Sequence, residues 1–198
     1  PMLTLRMGNH VFFSGQLNYA WNNDKMQYVS TVSKELAGHT PSDQQYVLGH
    51  LKQKTYGLTL KMQVNVTPDI SIQFYGSPFT SIGKYDDFRM ATDTKSHQFE
   101  KRSEPLADLQ LADGYYTGHF GDGRYRFKNP NFSFNEFRSN LVVRWEYLRG
   151  STIYLVWEHH MSNRDNWYKS GWGHNLDRMW DLPATNTLML KMNYWFNL

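Results

Sequence analysis

Apolar and polar side chains alternate one for one along several short arms of this chain. In the stretch "YGLTLKMQVNVTPDISIQFYG", residues 56 to 76, Tyr56, Leu58, Leu60, Met62, Val64 and Val66 share one phase, and Thr59, Lys61, Gln63 and Asn65 share the other. Strand side chains repeat with period two, so the first arm has one greasy and one polar side. After Thr67-Pro68-Asp69 the split returns, with Ile70, Ile72 and Phe74 against Ser71, Gln73 and Tyr75. Pro68 restricts one φ angle and marks a turn, which makes the stretch a β-hairpin.

The same pattern predicts seven strands. Residues 2 to 7 place Leu3, Leu5 and Met7 on one side, and Gly8-Asn9-His10 turns into a second strand with Val11, Phe13, Leu17, Tyr19 and Trp21. The opening hairpin follows, its first strand starting near Tyr46. A second hairpin, "FRSNLVVRWEYLRGSTIYLVWEHH" (137 to 160), sets Phe137, Leu141, Val143, Trp145 and Tyr147 against Arg138, Asn140, Arg144 and Glu146, turns at Arg149-Gly150, and continues with Ile153, Leu155 and Trp157. The final arm, "TLMLKMNYWFNL", alternates through Leu188, Leu190, Met192, Tyr194, Phe196 and Leu198. Residues 22 to 44, 84 to 130 and 162 to 183 read as long loops, rich in polar residues, Pro and Gly.

Connections therefore run short, long, short, long, short, long, and the short ones fall at one end of the sheet. Outer-membrane barrels sort their connections this way, with tight periplasmic turns and long extracellular loops. An arm of about 11 residues at a tilt of about 45° spans roughly 26 Å, close to the apolar band of such barrels. The expected fold is all-β, an antiparallel transmembrane β-barrel of which residues 1–198 form the C-terminal portion as a single domain. Aromatics toward the ends of the apolar faces, Tyr56, Phe74, Trp145, Tyr147, Trp157, Tyr194 and Phe196, suit an interfacial girdle. Seven is an odd count, which leaves either one strand unrecognised or further strands ahead of Pro1 or from another chain, and the start at Pro1 without a signal-peptide pattern fits the second.

Composition agrees with this class. Aromatics make up 16% of 198 residues, and no apolar run reaches the length of a spanning helix. A mean hydropathy of -0.66 does not exclude a barrel, whose lumen and loops are polar. Lys and Arg number 21 against 18 Asp and Glu, interspersed along the chain, so no basic stripe argues for nucleic acid. With no cysteine, disulfides, thiolate nucleophiles and cysteine-ligated zinc are ruled out.

Two stretches resemble a known family: "LKQKTYGLTLKMQVNVTPDISIQFYGSPFTSIGKYDDF" (51 to 88) and "FNEFRSNLVVRWEYLRGSTIYLVW" (134 to 157). They are similar to the C-terminal barrel region of large outer-membrane proteins of Bacteroidota that carry domain of unknown function 5916. Relatives usually bear an N-terminal domain similar to family-9 carbohydrate-binding modules. The resemblance implies the outer membrane of a Gram-negative bacterium, and it transfers no catalytic residue.

Candidate chemistry is sparse. The adjacent His159 and His160 would point to opposite faces of a strand and cannot share one ion without distortion. Asp86, Asp87, Asp122 and Asp165 lack the spaced pattern of a calcium loop. "GDG" (121 to 123) is a turn outside any strand-to-helix context, and no Gly-x-Ser-x-Gly elbow is present. The best site candidate is a polar cluster on the inner wall, Arg138, Arg144, Glu146, Tyr154 and Glu158, with Lys61; cross-strand pairs of this kind brace a barrel wall and set ion selectivity. Trp167, Trp172 and Trp180, in "RDNWYKSGWGHNLDRMWDL" (164 to 182), are candidates for stacking sugars or for packing within their own loop.

No metal, cofactor or catalytic residue is expected, and the segment is expected not to be an enzyme. The expected role is a pore, a transport element or the membrane anchor of an exported domain, with outer-membrane lipid as its surroundings and a glycan or other outer-membrane proteins as further partners. A soluble β-sandwich or lipocalin-like binding module is the alternative from another class. A carbohydrate-active enzyme using Glu146 and Glu158 is a third.

Overall fold

The computed structural model describes residues 1–33, 44–165 and 172–196. In chain order the strands are β1 (Met2–Met7), β2 (Val11–Ser33), β3 (Gln44–Asn65), β4 (Ile70–Ala91), β5 (Ser103–Pro105), β6 (Ala107–Ala112), β7 (Tyr115–Phe120), β8 (Gly123–Lys128), β9 (Phe132–Leu148), β10 (Ser151–Asp165) and β11 (Thr185–Asn193), with one α-helix, α1 (Trp172–Trp180), before β11. Seven of them form one antiparallel sheet in the order β1-β2-β3-β4-β9-β10-β11, to which β5 adds beside β4; β6, β7 and β8 form a second sheet.

The all-β antiparallel fold and the seven arms stand as the alternation predicts. Three tight turns, after β1, β3 and β9, gather at one end of the sheet and are tied to their neighbours. The His10 carbonyl accepts from the Asn65 amide at 2.7 Å, and the Asp69 carbonyl accepts from the Glu146 amide at 2.8 Å. Gly150 holds φ at +83°, the left-handed region that the two-residue turn between β9 and β10 requires and that glycine enters at no steric cost.

The long loops are corrected. β2 runs on to Ser33, so most of the stretch from residue 22 is strand, paired with β3 through bulges between Asp24 and Gln27 and between Tyr28 and Ser30. β4 runs to Ala91 and β10 to Asp165. Alternation fails to announce these extensions because bulges in β2 and β4 interrupt the period of two and their few apolar residues, among them Val32, Phe88 and Met90, stand among polar ones. The stretch after β4 holds the second sheet, and part of the third loop is α1. The last arm stops as a strand at Asn193. There the Trp195 amide leaves the ladder to donate to Ser151 Oγ at 2.9 Å.

Closure into a barrel is not formed by these strands. β1 and β11 remain the two edges of the sheet. In a sheet where every neighbour is antiparallel, the first and seventh strands run the same way, so they cannot meet through an antiparallel ladder.

The core lies at the end away from the tight turns. Val32, Val47, Phe88, Met90, Leu106, Tyr125 and Phe127 are buried together. The second sheet supplies Tyr125 and Phe127 from alternate positions of β8, while Arg124, Arg126 and Lys128 point outward. Phe88 meets Tyr116 at 4.7 Å and Phe127 at 5.0 Å between ring centroids. Val47 lies an even number of residues from Lys61 on β3, whose partners carry the bulges, so it shares the face of Lys61. The second sheet is therefore a lid folded over the polar face. Truncating a buried Phe costs about 3–5 kcal/mol, so Phe127→Ala should release the lid. In limited proteolysis the mutant should be cut between residues 106 and 130 while the seven-stranded sheet stays protected.

Candidate functional site

Register decides which side chains share a neighbourhood. Leu5, Phe13, Met62, Phe74, Leu141, Trp157 and Leu188 stand in one row across all seven strands. A second row contains Met7, Val11, Val64, Ile72, Val143, Leu155 and Leu190. Ile70, Trp145, Ile153 and Met192 flank them toward the turns, and Tyr19 and Tyr56, 5.1 Å apart, flank them on the other side. Phe74 and Trp157 thus sit in mid-band rather than at its border as expected. Trp145 and Tyr147 hold one border, and Tyr19, Tyr56 and Trp21 hold the other.

This apolar face is open. Leu188 and Leu190 are each 70% exposed, and Leu5 50%. A contiguous exposed patch of this extent far exceeds the scattered apolar residues of an ordinary soluble surface. Only at its far border is the face covered among the described residues, where α1 packs across β4, β9 and β10. Arg178 donates to Asp165 at 2.7 Å, Met179 is fully buried, and the Trp180 ring lies 5.2 Å from Phe137.

The opposite face is polar and carries the predicted cluster, which the structure divides. At the turn end Arg144 donates to Glu146 at 2.7 Å, the other oxygen of Glu146 accepts from the Gly150 amide at 3.1 Å, and Tyr154 stands directly opposite Arg144. These three do form one group, with Lys191 next in the row. Arg138 belongs to a separate group, in which Glu136 accepts from Arg138 at 2.7 Å and lies 3.2 Å from His160. Lys61 and Glu158 lie in a third row, Ser14-Lys61-Tyr75-Asn140-Glu158-Thr187, three strands and about 14 Å apart.

Glu146 lies opposite Thr152, six residues from Glu158, so these carboxylates are about 20 Å apart. Glycoside hydrolysis needs two carboxyls about 5–9.5 Å apart, and this pair does not provide them. His159 and His160 face opposite ways, the first 2.8 Å from Asn186. Of the tryptophans, Trp180 lies against Phe137 on the apolar face; the side chain of Trp172 and all of Trp167 lie outside the described residues.

Several hollows open on the polar face among the described residues. One, of about 380 Å³, is lined by Phe12, Lys61, Gln63, Gln73, Tyr75 and Asn140 among others. A second, of about 560 Å³, opens beside the lid among Tyr85, Lys128, Phe132 and Arg164. Burial pushes the Tyr85 phenol above its ordinary pKa, with Asp24 adding to the rise and Arg164 opposing it. The lid and this hollow were missed by pattern reading. The "RYRFK" alternation of β8, aromatics on one side and cations on the other, was the signal that could have found them.

A family model described as "Domain of unknown function (DUF5916)" matches residues 2–198. The chain belongs to this family. No curated protein and no solved structure matches it.

Glu146 is the acceptor for both Arg144 and the Gly150 turn, whereas Glu158 stands opposite the neutral Asn140 and Thr187. Glu146→Ala should therefore lower the urea midpoint of the full-length protein more than Glu158→Ala does. Raising the salt concentration should narrow the difference.

Proposed function

We propose that this DUF5916 segment is a seven-stranded sector of an outer-membrane β-barrel in a Gram-negative bacterium, with lipid against its apolar face and its polar face turned to a lumen beneath the lid. The observation that carries the reading is the pair of rows in which all seven strands present an apolar side chain, on a face that the second sheet does not cover. A β-sandwich would place its second sheet there. The second sheet of this chain packs on the polar face instead.

Lipid offers no hydrogen bonds to backbone groups, so the edges of β1 and β11 need partner strands. We assign that role to further strands of the same barrel. From Val64 to Tyr56 the apolar face of β3 runs eight residue steps, about 27 Å along the strand, which at a tilt of about 40° crosses about 20 Å of the roughly 25 Å band of such barrels. On the polar face Arg6, Lys61, Arg138, Arg144 and Lys191 outnumber Glu136, Glu146 and Glu158, so a passage lined by them would favour anions.

The full-length protein should be extracted only with detergent and should migrate differently on a semi-native gel before and after heating. Full solubility without detergent would overturn the membrane reading. Leu60 and Gln63 are three residues apart on opposite faces, which gives a second test. Leu60→Lys should cost about 2–4 kcal/mol and Gln63→Lys about 0–1, read as folding free energies into bilayers. Planar-bilayer recording separates a pore, which conducts, from a membrane anchor, which inserts without conductance.

A further inference from the structure

The hollow beside the lid carries cations and apolar surface on one wall. At about 560 Å³ it has the size of a small-molecule site, and Ser30, Tyr85, Lys128, Pro130, Phe132 and Arg164 line it. Register explains the gathering. Phe132 pairs with Gly83, and Gly83 with Gln53 on the Lys61 face of β3. Tyr85 stands two residues beyond Gly83, and Arg164 pairs with Phe134, two residues beyond Phe132, so all three side chains point to the polar face. Lys128, the last residue of β8, turns away from the lid's core and into the same space.

Neither cation is neutralised by a neighbour. Arg164 lies 5.6 Å over the Phe132 ring, and neither Arg164 nor Lys128 belongs to an ion pair among the described residues. Asp24, whose charge reaches Tyr85, accepts from the Met26 amide at 3.0 Å and stands outside the lining. Burial keeps the Tyr85 phenol protonated at neutral pH, so it offers an O–H donor. Ser30 adds a buried hydroxyl with no hydrogen-bond partner among the described residues, a cost that a ligand oxygen would relieve.

We propose that this hollow binds a small organic acid, its carboxylate or phosphate group between Arg164 and Lys128 and its organic body against Phe132 and Pro130. The guanidinium fork matches both oxyanions in geometry. The apolar part of the wall favours an anion that carries an organic group over a free inorganic ion. The site does not depend on what meets the apolar face, because its residues lie on the opposite face and on the lid.

The test uses the full-length protein in a neutral detergent and fluorine NMR, with para-fluorobenzoate and para-fluorophenyl phosphate as probes and para-fluorobenzamide as their neutral counterpart. One of the two anions should bind, the tighter naming the acid, and the amide should not. Lys128→Gln should weaken that binding about tenfold, and Lys128→Gln with Arg164→Gln about a hundred-fold. Lys95→Gln with Lys101→Gln, which removes as much charge elsewhere, should bind like the wild type. Equal binding by the wild type and the Lys128→Gln, Arg164→Gln variant, both equally resistant to protease, would overturn the site. Amide binding as tight as that of the anions would also overturn it, since the charge would then not be read. Displacement of the probe by inorganic phosphate at the same concentration would overturn the organic body as part of the ligand.

Discussion

Phase coherence across strands is the constraint on which the rest of this structure depends. Each strand alternates with period two, and a slip of one residue at any ladder would carry a whole set of apolar side chains to the other face. Here the ladders keep step through seven strands, so that Leu5 on β1 and Leu188 on β11 end in the same row. The tight turns hold that step. His10 to Asn65 and Asp69 to Glu146 tie neighbouring turns together, and Gly150 reverses the chain in two residues.

Away from the turns the strands obey different rules. Bulges in β2 and β4 shift the register where the lid begins, and Asp87 takes a positive φ there. Bulges increase local twist and re-aim side chains, which brings Phe88 and Met90 into the core beneath the lid. On the apolar face the distal rows become polar, yet they are buried and satisfied within themselves. Thr80 donates to Asn135, whose amide reaches Ser133. The protein therefore has a two-faced half without an internal core and a distal half with one.

The candidate site was partly legible for the same reason. Arg144, Glu146 and Tyr154 lie within six residues of the turn that joins their strands, so their nearness is readable from the hairpin, although a register shift beside the turn, at Tyr147, sets Arg144 opposite Tyr154. Arg138 and Glu158 are farther from that turn, and their neighbours, Glu136 and His160 for the one and Asn140 for the other, follow only from the full register. Lys61 belongs to another hairpin, and its row partners depend on how β4 docks on β9. The same holds for Lys52 and Lys84, which are 32 residues apart in sequence and are brought opposite each other only by the β3–β4 ladder.

By itself the sequence determined the strand period, the position of the tight turns and the division of each arm into an apolar and a polar side. These are local properties, written in side chains one or two residues apart and in the φ demands of glycine and proline. Only the tertiary structure decided that the polar stretches after Trp21 and Ile82 continue as strands, that residues 107–128 fold into a lid over the polar face, and that α1 borders the apolar one. Those outcomes rest on backbone pairing and on contacts between residues distant in the chain, of which only the alternation of β8 leaves a periodic mark in the sequence.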